Sequence, residues 1–248
     1  MAIDNIHFEK VRDNIVGKDR ERIGIGTLSE KTLHIILKNY YQPDEDKQEI
    51  PLEGYVADIF TGSEVIEIQT GQFNRMREKL KAFLPLYPVT IVYPISNERW
   101  LRWVDVETGE ISKGRKSPKK ENPYLIFPEL YKIKAFLKNP NLRLRIAVLD
   151  MEEYKLLNGW GEQKKNNASK FDRIPLRLVK EYEVERVEDY LQFLPLELPE
   201  QFTVKELAKL VKCSEAQASV TMNILNDVEV VKRVGKRGNA YLYESNLE

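Results

Sequence analysis

The chain has 248 residues, with 39 Lys+Arg against 39 Asp+Glu, so its formal net charge at pH 7 is zero. This balance excludes a histone-like or tail-driven mode of nucleic-acid binding, and any basic surface must be local. The single cysteine, Cys213, excludes an internal disulfide framework and a cysteine-based zinc site, and the two histidines, His7 and His34, form no H-x-x-x-H pair. A metal site would therefore use carboxylates, which are typical ligands of Mg²⁺ or Mn²⁺.

Hydrophobic residues make up 42% of the chain and aromatic residues 10%, which predicts a globular protein. The first residues lack a basic segment followed by an apolar run, so they do not read as a signal peptide. No stretch approaches the roughly 18 apolar residues that a membrane-spanning helix needs. We therefore expect a cytoplasmic protein that does not contact a membrane.

Helical and strand patterns alternate over the first two thirds of the chain. A capping box, Thr27-Leu-Ser-Glu30, precedes apolar positions at helical spacing and predicts a helix from residue 28 to about residue 41. The patterns that follow predict, in chain order, a hairpin, a helix, a buried strand, a second hairpin, a short helix and a further strand over residues 54–69, 72–84, 89–93, 100–111, 131–137 and 143–149. This order predicts a mixed α/β or α+β core.

The first hairpin carries the most informative chemistry. If Gly62-Ser63 is a two-residue turn, Asp58 lies directly opposite Glu67 on the neighbouring strand. Directly opposed side chains have Cβ atoms about 4.5–5.5 Å apart, and two like charges at that distance are destabilising. A divalent cation would supply the counter-charge that this pair needs. The alternative is an acidic hairpin face that is merely exposed to solvent.

Asp58, an eight-residue gap and then Glu67-Ile-Gln69, all between two helices, resemble the motif of the PD-(D/E)xK phosphodiesterase superfamily over residues 24–95. That superfamily holds restriction endonucleases, junction resolvases and many repair nucleases. Its core runs helix, three strands, helix, strand, with the Asp on the second strand and E-x-K on the third. The resemblance implies an α/β fold with a restriction-endonuclease-like mixed sheet flanked by helices. Ala57 stands where a proline is usual, and Gln69 replaces the lysine.

The resemblance implies that Asp58, Glu67 and the Ile68 carbonyl hold Mg²⁺ or Mn²⁺. The metal would lower the pKa of a bound water and neutralise charge in the transition state. Gln69 can hold a water by hydrogen bonds but brings no positive charge, and some active members of the superfamily carry Gln there. Glu30 is a further catalytic candidate, because several relatives place a metal-supporting Glu on the first helix. Its place in the capping box is the alternative explanation.

In relatives, the helix that follows the motif borders the substrate groove. Gln72 and Arg75 lie closest in sequence to the acids, and they are the first nucleic-acid contacts that we expect there. The other cations of this helix, Lys79 among them, are equally explained as a solvated charged face. Two basic stretches, residues 113–120 and 164–173, suit phosphate contact, although basic loops are common on soluble proteins.

The C-terminal segment contains two capping boxes and a glycine-containing hairpin. Thr203 with Glu206 opens a helix over 204–211, Ser214 with Gln217 opens one over 215–227, and the hairpin covers 230–243. Over residues 185–245 this order resembles a winged helix-turn-helix, in which the second helix enters the major groove and the wing meets the backbone. The resemblance implies DNA contacts by Lys232, Arg233, Lys236, Arg237, Gln217 and Thr221. Residues 185–248 have eight Lys/Arg against eleven Asp/Glu, so protein binding is the alternative.

These patterns predict a PD-(D/E)xK nuclease-like domain over 1–183 and a winged helix-turn-helix domain over 184–248. The predicted function is Mg-dependent hydrolysis of nucleic-acid phosphodiester bonds, with double-stranded DNA as the partner. The resemblance implies a homodimer where both strands of a duplex are cut. The alternative is a catalytically inactive nuclease-like domain that serves as a DNA-binding regulator or protein-interaction module. A hydrolase of small phosphoesters is disfavoured, because the chain has no Gly-rich phosphate loop.

Overall fold

A computed structural model describes residues 3–22, 32–158 and 168–246. The helices are α1 (Asn5–Arg22), α2 (Thr32–Tyr41), α3 (Arg77–Phe83), α4 (Phe127–Lys132), α5 (Val204–Val211) and α6 (Glu215–Asp227). The strands are β1 (Gln48–Leu52), β2 (Tyr55–Phe60), β3 (Val65–Ile68), β4 (Val89–Asp105), β5 (Arg115–Lys116), β6 (Leu142–Leu157), β7 (Ser169–Val184), β8 (Val231–Arg237) and β9 (Ala240–Ser245). Over these described ranges, no helix combines the length and apolar character needed to span a membrane.

A large mixed sheet is the central feature of the fold. Its strand order within the described residues is β1-β2-β3-β4-β6-β7, and β5 pairs with β4. Strands β2 and β3 are antiparallel, whereas β3 and β4 are parallel, with Val65 beside Val89 and Ile68 beside Val92. A parallel pair needs a crossover connection, which α3 and the turn before it provide. The mixed α/β sheet flanked by helices that the sequence predicts is therefore confirmed.

The chain forms two compact units. The first contains Met1–Ile50, Pro94–Asn122 and Ala147–Glu181, and the second contains Pro51–Tyr93, Pro123–Ile146 and Tyr182–Glu248. Strands β1, β4, β6 and β7 each continue from one unit into the other. The C-terminal segment groups with the β2–β3 hairpin and α4, so a division of the chain into domains 1–183 and 184–248 stays a prediction.

Charged side chains inside the first unit are held in pairs. Asp150, which is only 4% exposed, accepts hydrogen bonds from Asn97 Nδ2 and Arg177 Nε, both at 2.7 Å. Glu153, also 4% exposed, accepts from Arg99 Nη1 at 3.0 Å. Burying a carboxylate costs stability unless it is paired and hydrogen-bonded. The partners on neighbouring strands explain why such long strands tolerate acids in their interior.

In the second unit, α3 buries the apolar stripe that the sequence predicts. Phe73, Met76, Leu80 and Phe83 are all at most 2% exposed. The predicted helix over 72–84 nevertheless begins as a 3-10 turn, Phe73–Met76, and becomes α-helical at Arg77. Gln72 before it adopts a left-handed conformation with φ of 58°. The start of this turn is held by a side chain from α4.

A side chain of α4 holds the beginning of this turn. Glu129 Oε2 accepts the Phe73 N–H at 2.9 Å, while Lys132 Nζ contacts the Oε1 atom of the same carboxylate at 2.6 Å. The first N–H groups of a helix have no partner within the helix, so a carboxylate there is stabilising. Helix α4 therefore helps to fix where α3 begins.

The C-terminal segment contains α5, α6 and the β8–β9 hairpin, as predicted from its capping boxes and glycines. Thr203 and Glu206 form a reciprocal capping box at the start of α5, with the Thr203 N–H donating to Glu206 Oε2 at 2.7 Å. Ser214 Oγ accepts the Gln217 N–H at 3.2 Å and caps α6. A bridge between Phe202 and Tyr243 joins the chain two residues before α5 to the hairpin.

Helix α6 packs against the α4 region of the same unit. Lys134 Nζ lies 3.0 Å from Asn223 Oδ1 and 2.9 Å from Asp227 Oδ1. Tyr124, just before α4, donates its hydroxyl proton to the Phe193 carbonyl at 2.9 Å, and the Phe193 ring packs edge-on against Phe127. The C-terminal segment thus shares a core with α4.

Candidate functional site

The loop between β2 and β3 is the two-residue turn that the sequence predicts. The Thr61 N–H donates to the Glu64 carbonyl at 3.0 Å across the turn. Gly62, the first central residue, adopts φ of 96°, a conformation that residues with a side chain rarely tolerate. A glycine followed by a serine therefore fixes the length of this hairpin loop.

The turn sets the register of the two acids. Ile59 pairs with Ile66, so the next opposed pair along the hairpin is Asp58 and Glu67. Glu67 is fully buried, and its Oε1 atom lies 3.4 Å from the Asp58 backbone nitrogen. Asp58 is half-buried, and its Oδ2 atom accepts the Ile68 N–H at 2.7 Å. The predicted opposition of the two carboxylates is confirmed.

A lysine from α3 provides the counter-charge within the chain itself. Lys79 Nζ lies 2.9 Å from Glu67 Oε1 and 2.7 Å from Glu67 Oε2. The Lys79 side chain is 20% exposed, whereas that of Glu67 is completely buried. The need for positive charge that follows from two opposed acids is thus met at least in part by this ammonium group.

The environment of Glu67 changes its acidity. Burial, the largest influence, and the negative charge of Asp58 raise the pKa of Glu67, the Lys79 ammonium lowers it, and the net result is a pKa raised from 4.5 to about 7. A carboxyl group with a pKa near neutrality can exchange its proton under physiological conditions. Such groups are common at functional sites, although structural ion pairs produce them as well.

The other predicted members of this site have mixed outcomes. Gln69 is half-buried directly after β3, and its backbone N–H donates to the Val92 carbonyl at 2.9 Å. Gln72 and Arg75 are exposed at the start of the turn before α3. Glu30 and residues 164–167 lie outside the described residues. Their predicted roles, and that of the Ile68 carbonyl, stay predictions.

The donor set of this cluster is compatible with magnesium. Mg²⁺ is typically held by one or two carboxylates together with waters and substrate phosphates, so Asp58 and Glu67 are of the right type and number. In the described part of the chain no group of three or more His, Cys, Asp or Glu side chains is arranged to hold a metal. A cation that bound Glu67 would also have to share its carboxylate with Lys79.

The basic hairpin β8–β9 is exposed, but its cations differ in how far they are neutralised. Lys232 Nζ is paired with Glu244 at 2.9 Å, and Arg237 Nη1 with Glu206 at 2.9 Å. The Arg233 guanidinium lies 4.5 Å from the centre of the Tyr241 ring, and Lys236 Nζ lies 5.0 Å from it. These last two cations contact an aromatic face, and within the described ranges neither forms an ion pair with an acid.

Thr221 and Gln217 do not present the reading surface that the sequence predicts on α6. Thr221 is completely buried, and its hydroxyl donates to the Gln217 carbonyl at 3.0 Å, so the prediction that it contacts DNA is wrong for this structure. Gln217 is half-buried with its side-chain nitrogen shielded from solvent. The reason is helical phase: Thr221 lies three residues after Ala218 and four before Leu225, both buried.

Sequence reasoning missed the contact between Lys79 and Glu67. The signal was present, because Lys79 lies three residues after Met76 and four before Phe83, and both are buried positions of the stripe. A cation at that spacing points toward the sheet side of its helix. Glu129 had no such signal, since its role depends on where α4 packs.

A family model described as a domain of unknown function, DUF8091, matches residues 31–185. This stretch is more than half of the chain. The chain belongs to this family. The DUF8091 region contains Asp58, Glu67 and Lys79, and it ends before α5. A protein of Treponema pallidum (strain Nichols) described as "Uncharacterized protein" is 30% identical over 223 residues, which cover 88% of this chain and 86% of that protein. No solved structure matches the chain.

Proposed function

We propose that this protein is a Mg²⁺- or Mn²⁺-dependent nuclease that hydrolyses phosphodiester bonds of DNA. The observation that carries the proposal is the opposition of Asp58 and Glu67 on β2 and β3. It is supported by the order of elements around them, which runs α2, three strands, α3 and a strand β4 parallel to β3. That order is the one expected of a PD-(D/E)xK core, with the Asp on its second strand and the Glu on its third.

The chain's own residues have defined parts in this proposal. Asp58 and Glu67 would hold the divalent cation, together with the Ile68 carbonyl. A bound cation would lower the pKa of a water and offset the charge that develops on the phosphate. Gln69 directly follows β3 and would orient that water through its amide. The buried position of Glu67 limits competition from bulk water for its oxygens.

The C-terminal segment would position the protein on double-stranded DNA. The succession of α5, a short turn, α6 and the β8–β9 hairpin supports a winged helix-turn-helix arrangement. Arg233 and Lys236 on the hairpin are the contacts that we favour, since both lie against Tyr241 and neither forms an ion pair with an acid among the described residues. Contact by α6 is limited, because Thr221 is buried and Lys134 contacts Asn223. Backbone contact by the wing fits this surface better than base reading by the helix.

A second function is favoured by a different observation. Lys79 already pairs with Glu67, so part of the positive charge that the two acids need comes from the chain itself. A nuclease-like domain that has lost catalysis would keep such an ion pair, and Gln69 would then mark the loss. The protein would serve as a DNA-binding regulator or as a module that docks a partner protein.

Cleavage of mixed DNA substrates separates the two functions. Wild type should cleave with Mg²⁺ or Mn²⁺, and Asp58→Ala or Asp58→Asn should lower the rate by more than about 100-fold, since even outer partners of metal ligands cost about 10–100-fold. Glu53→Gln is the matched control, because it neutralises an exposed acid just before β2. Equal background in wild type and Asp58→Asn would support the regulator instead. Loss of DNA binding together with cleavage would mean that Asp58 matters for folding.

A further inference from the structure

The proposed nuclease site lacks a positive charge at position 69, where Gln69 replaces the lysine of the motif. Residue 69 lies two positions after Glu67. Because side chains alternate between the two faces of an extended chain, residues 67 and 69 are on the same face. A glutamine there can donate and accept hydrogen bonds, but it cannot balance the negative charge of a phosphate. Positive charge near the reacting phosphate is a large part of catalysis in phosphoryl transfer. Another residue has to supply it if the site is active.

Lys79 is a cation in direct contact with Glu67, the buried member of the acid pair. Its ammonium group lies within 2.9 Å of both oxygens of Glu67, although it arrives from α3 and not from β3. The side chain is one-fifth exposed, so it touches the buried carboxylate at one side and solvent at the other. A substrate that approached Glu67 from solvent would therefore meet Lys79.

The backbone that carries Lys79 is held in place. Met76 and Leu80 on either side of it are buried, and Glu129 fixes the Phe73 N–H at the start of the preceding turn. A fixed backbone leaves only the side-chain torsions of Lys79 to adjust. Preorganised charge of this kind is what stabilises a transition state without further rearrangement.

We propose that Lys79 supplies, from α3, the positive charge that Gln69 does not bring to the site. This inference rests on the proposed nuclease function. In this inference Lys79 is a catalytic residue: its ammonium group would balance the charge of the reacting phosphate while it stays in contact with Glu67. A carboxylate has two oxygens, so the ammonium can keep one of them when the other binds a divalent cation. A purely structural ion pair would have no part in the reaction once a divalent cation balanced the acids.

The test removes the positive charge of Lys79 and then introduces a positive charge at position 69. In the intact protein, Lys79→Met should lower kcat by about 100-fold or more with little change in KM, as for the removal of one charge-stabilising donor. The double variant Gln69→Lys/Lys79→Met should recover a large part of that loss. Lys81→Met is the matched control on the same helix, because Lys81 pairs with Glu78 at the surface at 2.7 Å.

A measurement other than activity separates chemistry from folding. The Mn²⁺-dependent rise in melting temperature should persist in Lys79→Met, since the two carboxylates remain. If Lys79→Met unfolds too readily for assay, Lys79→Gln still offers Glu67 a hydrogen bond without the charge, and the same loss is expected. A folded Lys79→Met or Lys79→Gln that cleaves within about threefold of wild type would overturn this inference alone. Absence of cleavage by wild type would overturn the proposed function, and this inference with it.

Discussion

Two influences of opposite sign act on the carboxyl group of Glu67. Burial and the charge of Asp58 raise its pKa, Lys79 favours the ionised form, and the net pKa is about 7. Because the folded-state pKa is above the ordinary value of 4.5, the folded protein holds this proton more tightly than the unfolded chain does. The stability gained in this way is complete below the unfolded-state pKa and is lost as the pH rises through the folded-state pKa.

Glu67→Gln should remove this dependence on pH, because the amide cannot ionise. In the presence of a chelator, the melting temperature of wild type should fall relative to that of Glu67→Gln between pH 4.5 and about 7. Thermal unfolding of both proteins over this range gives the comparison. Parallel curves would show that Glu67 titrates as it does in an unfolded chain.

Individual residues could be predicted from the sequence where a local rule applied. The two-residue turn at Gly62 was enough to place Asp58 opposite Glu67, because hairpin register follows from loop length. The partner of Glu67 could not be placed in the same way, since Lys79 reaches it only once α3 lies over the sheet. The polar side chain of Thr221 suggests an exposed position, whereas its helical phase places it in the core with Ala218 and Leu225.

Among the elements, the β8–β9 hairpin differs from α6 in what it offers to a polyanion. Its cations fall into two classes, those paired with an acid and those lying against Tyr241. A cation already in an ion pair must lose that partner before it can contact a phosphate. If the hairpin binds DNA as proposed, it should do so through fewer cations than its sequence contains.

Arg233→Ala and Lys236→Ala should weaken binding to double-stranded DNA similarly for all sequences. Each should reduce the slope of log K against log salt concentration by about 1, the value expected for one phosphate contact. Lys232→Ala and Arg237→Ala should have smaller effects, because Glu244 and Glu206 neutralise these cations. Fluorescence anisotropy titrations at several salt concentrations measure all four variants. Equal effects of the four would contradict the division into two classes.

For the molecule as a whole, the sequence predicted the class of fold better than the extent of its strands. The strand predicted over 89–93 continues to Asp105 as β4, and the one over 143–149 becomes β6, which ends at Leu157. Their distal halves contain acids that a single sequence marks as exposed. Only the pairing of neighbouring strands shows that Asp150 and Glu153 are buried against Asn97 and Arg99.

Because α4 and the C-terminal segment share a core, we expect each part to stabilise the other against unfolding. A protein ending at residue 183 should unfold at a lower temperature than the full chain, because Phe193 would no longer cover Tyr124 and Phe127. Phe193→Ala in the full chain should act in the same direction, by about 3–5 kcal/mol. Calorimetry of the three proteins tests this, and a truncated protein that melts with the full chain would instead mark residues 184–248 as an independent domain.

Glu129 can affect the proposed site although its carboxylate contacts the Phe73 backbone and not the two acids. It holds the Phe73 amide, and so the start of the helix that brings Lys79 to Glu67. In a screen for variants that lack the proposed nuclease activity, substitutions at Glu129 should be found together with substitutions at Asp58 and Glu67. A map of the sensitive positions would therefore be wider than the proposed active site and would include α4.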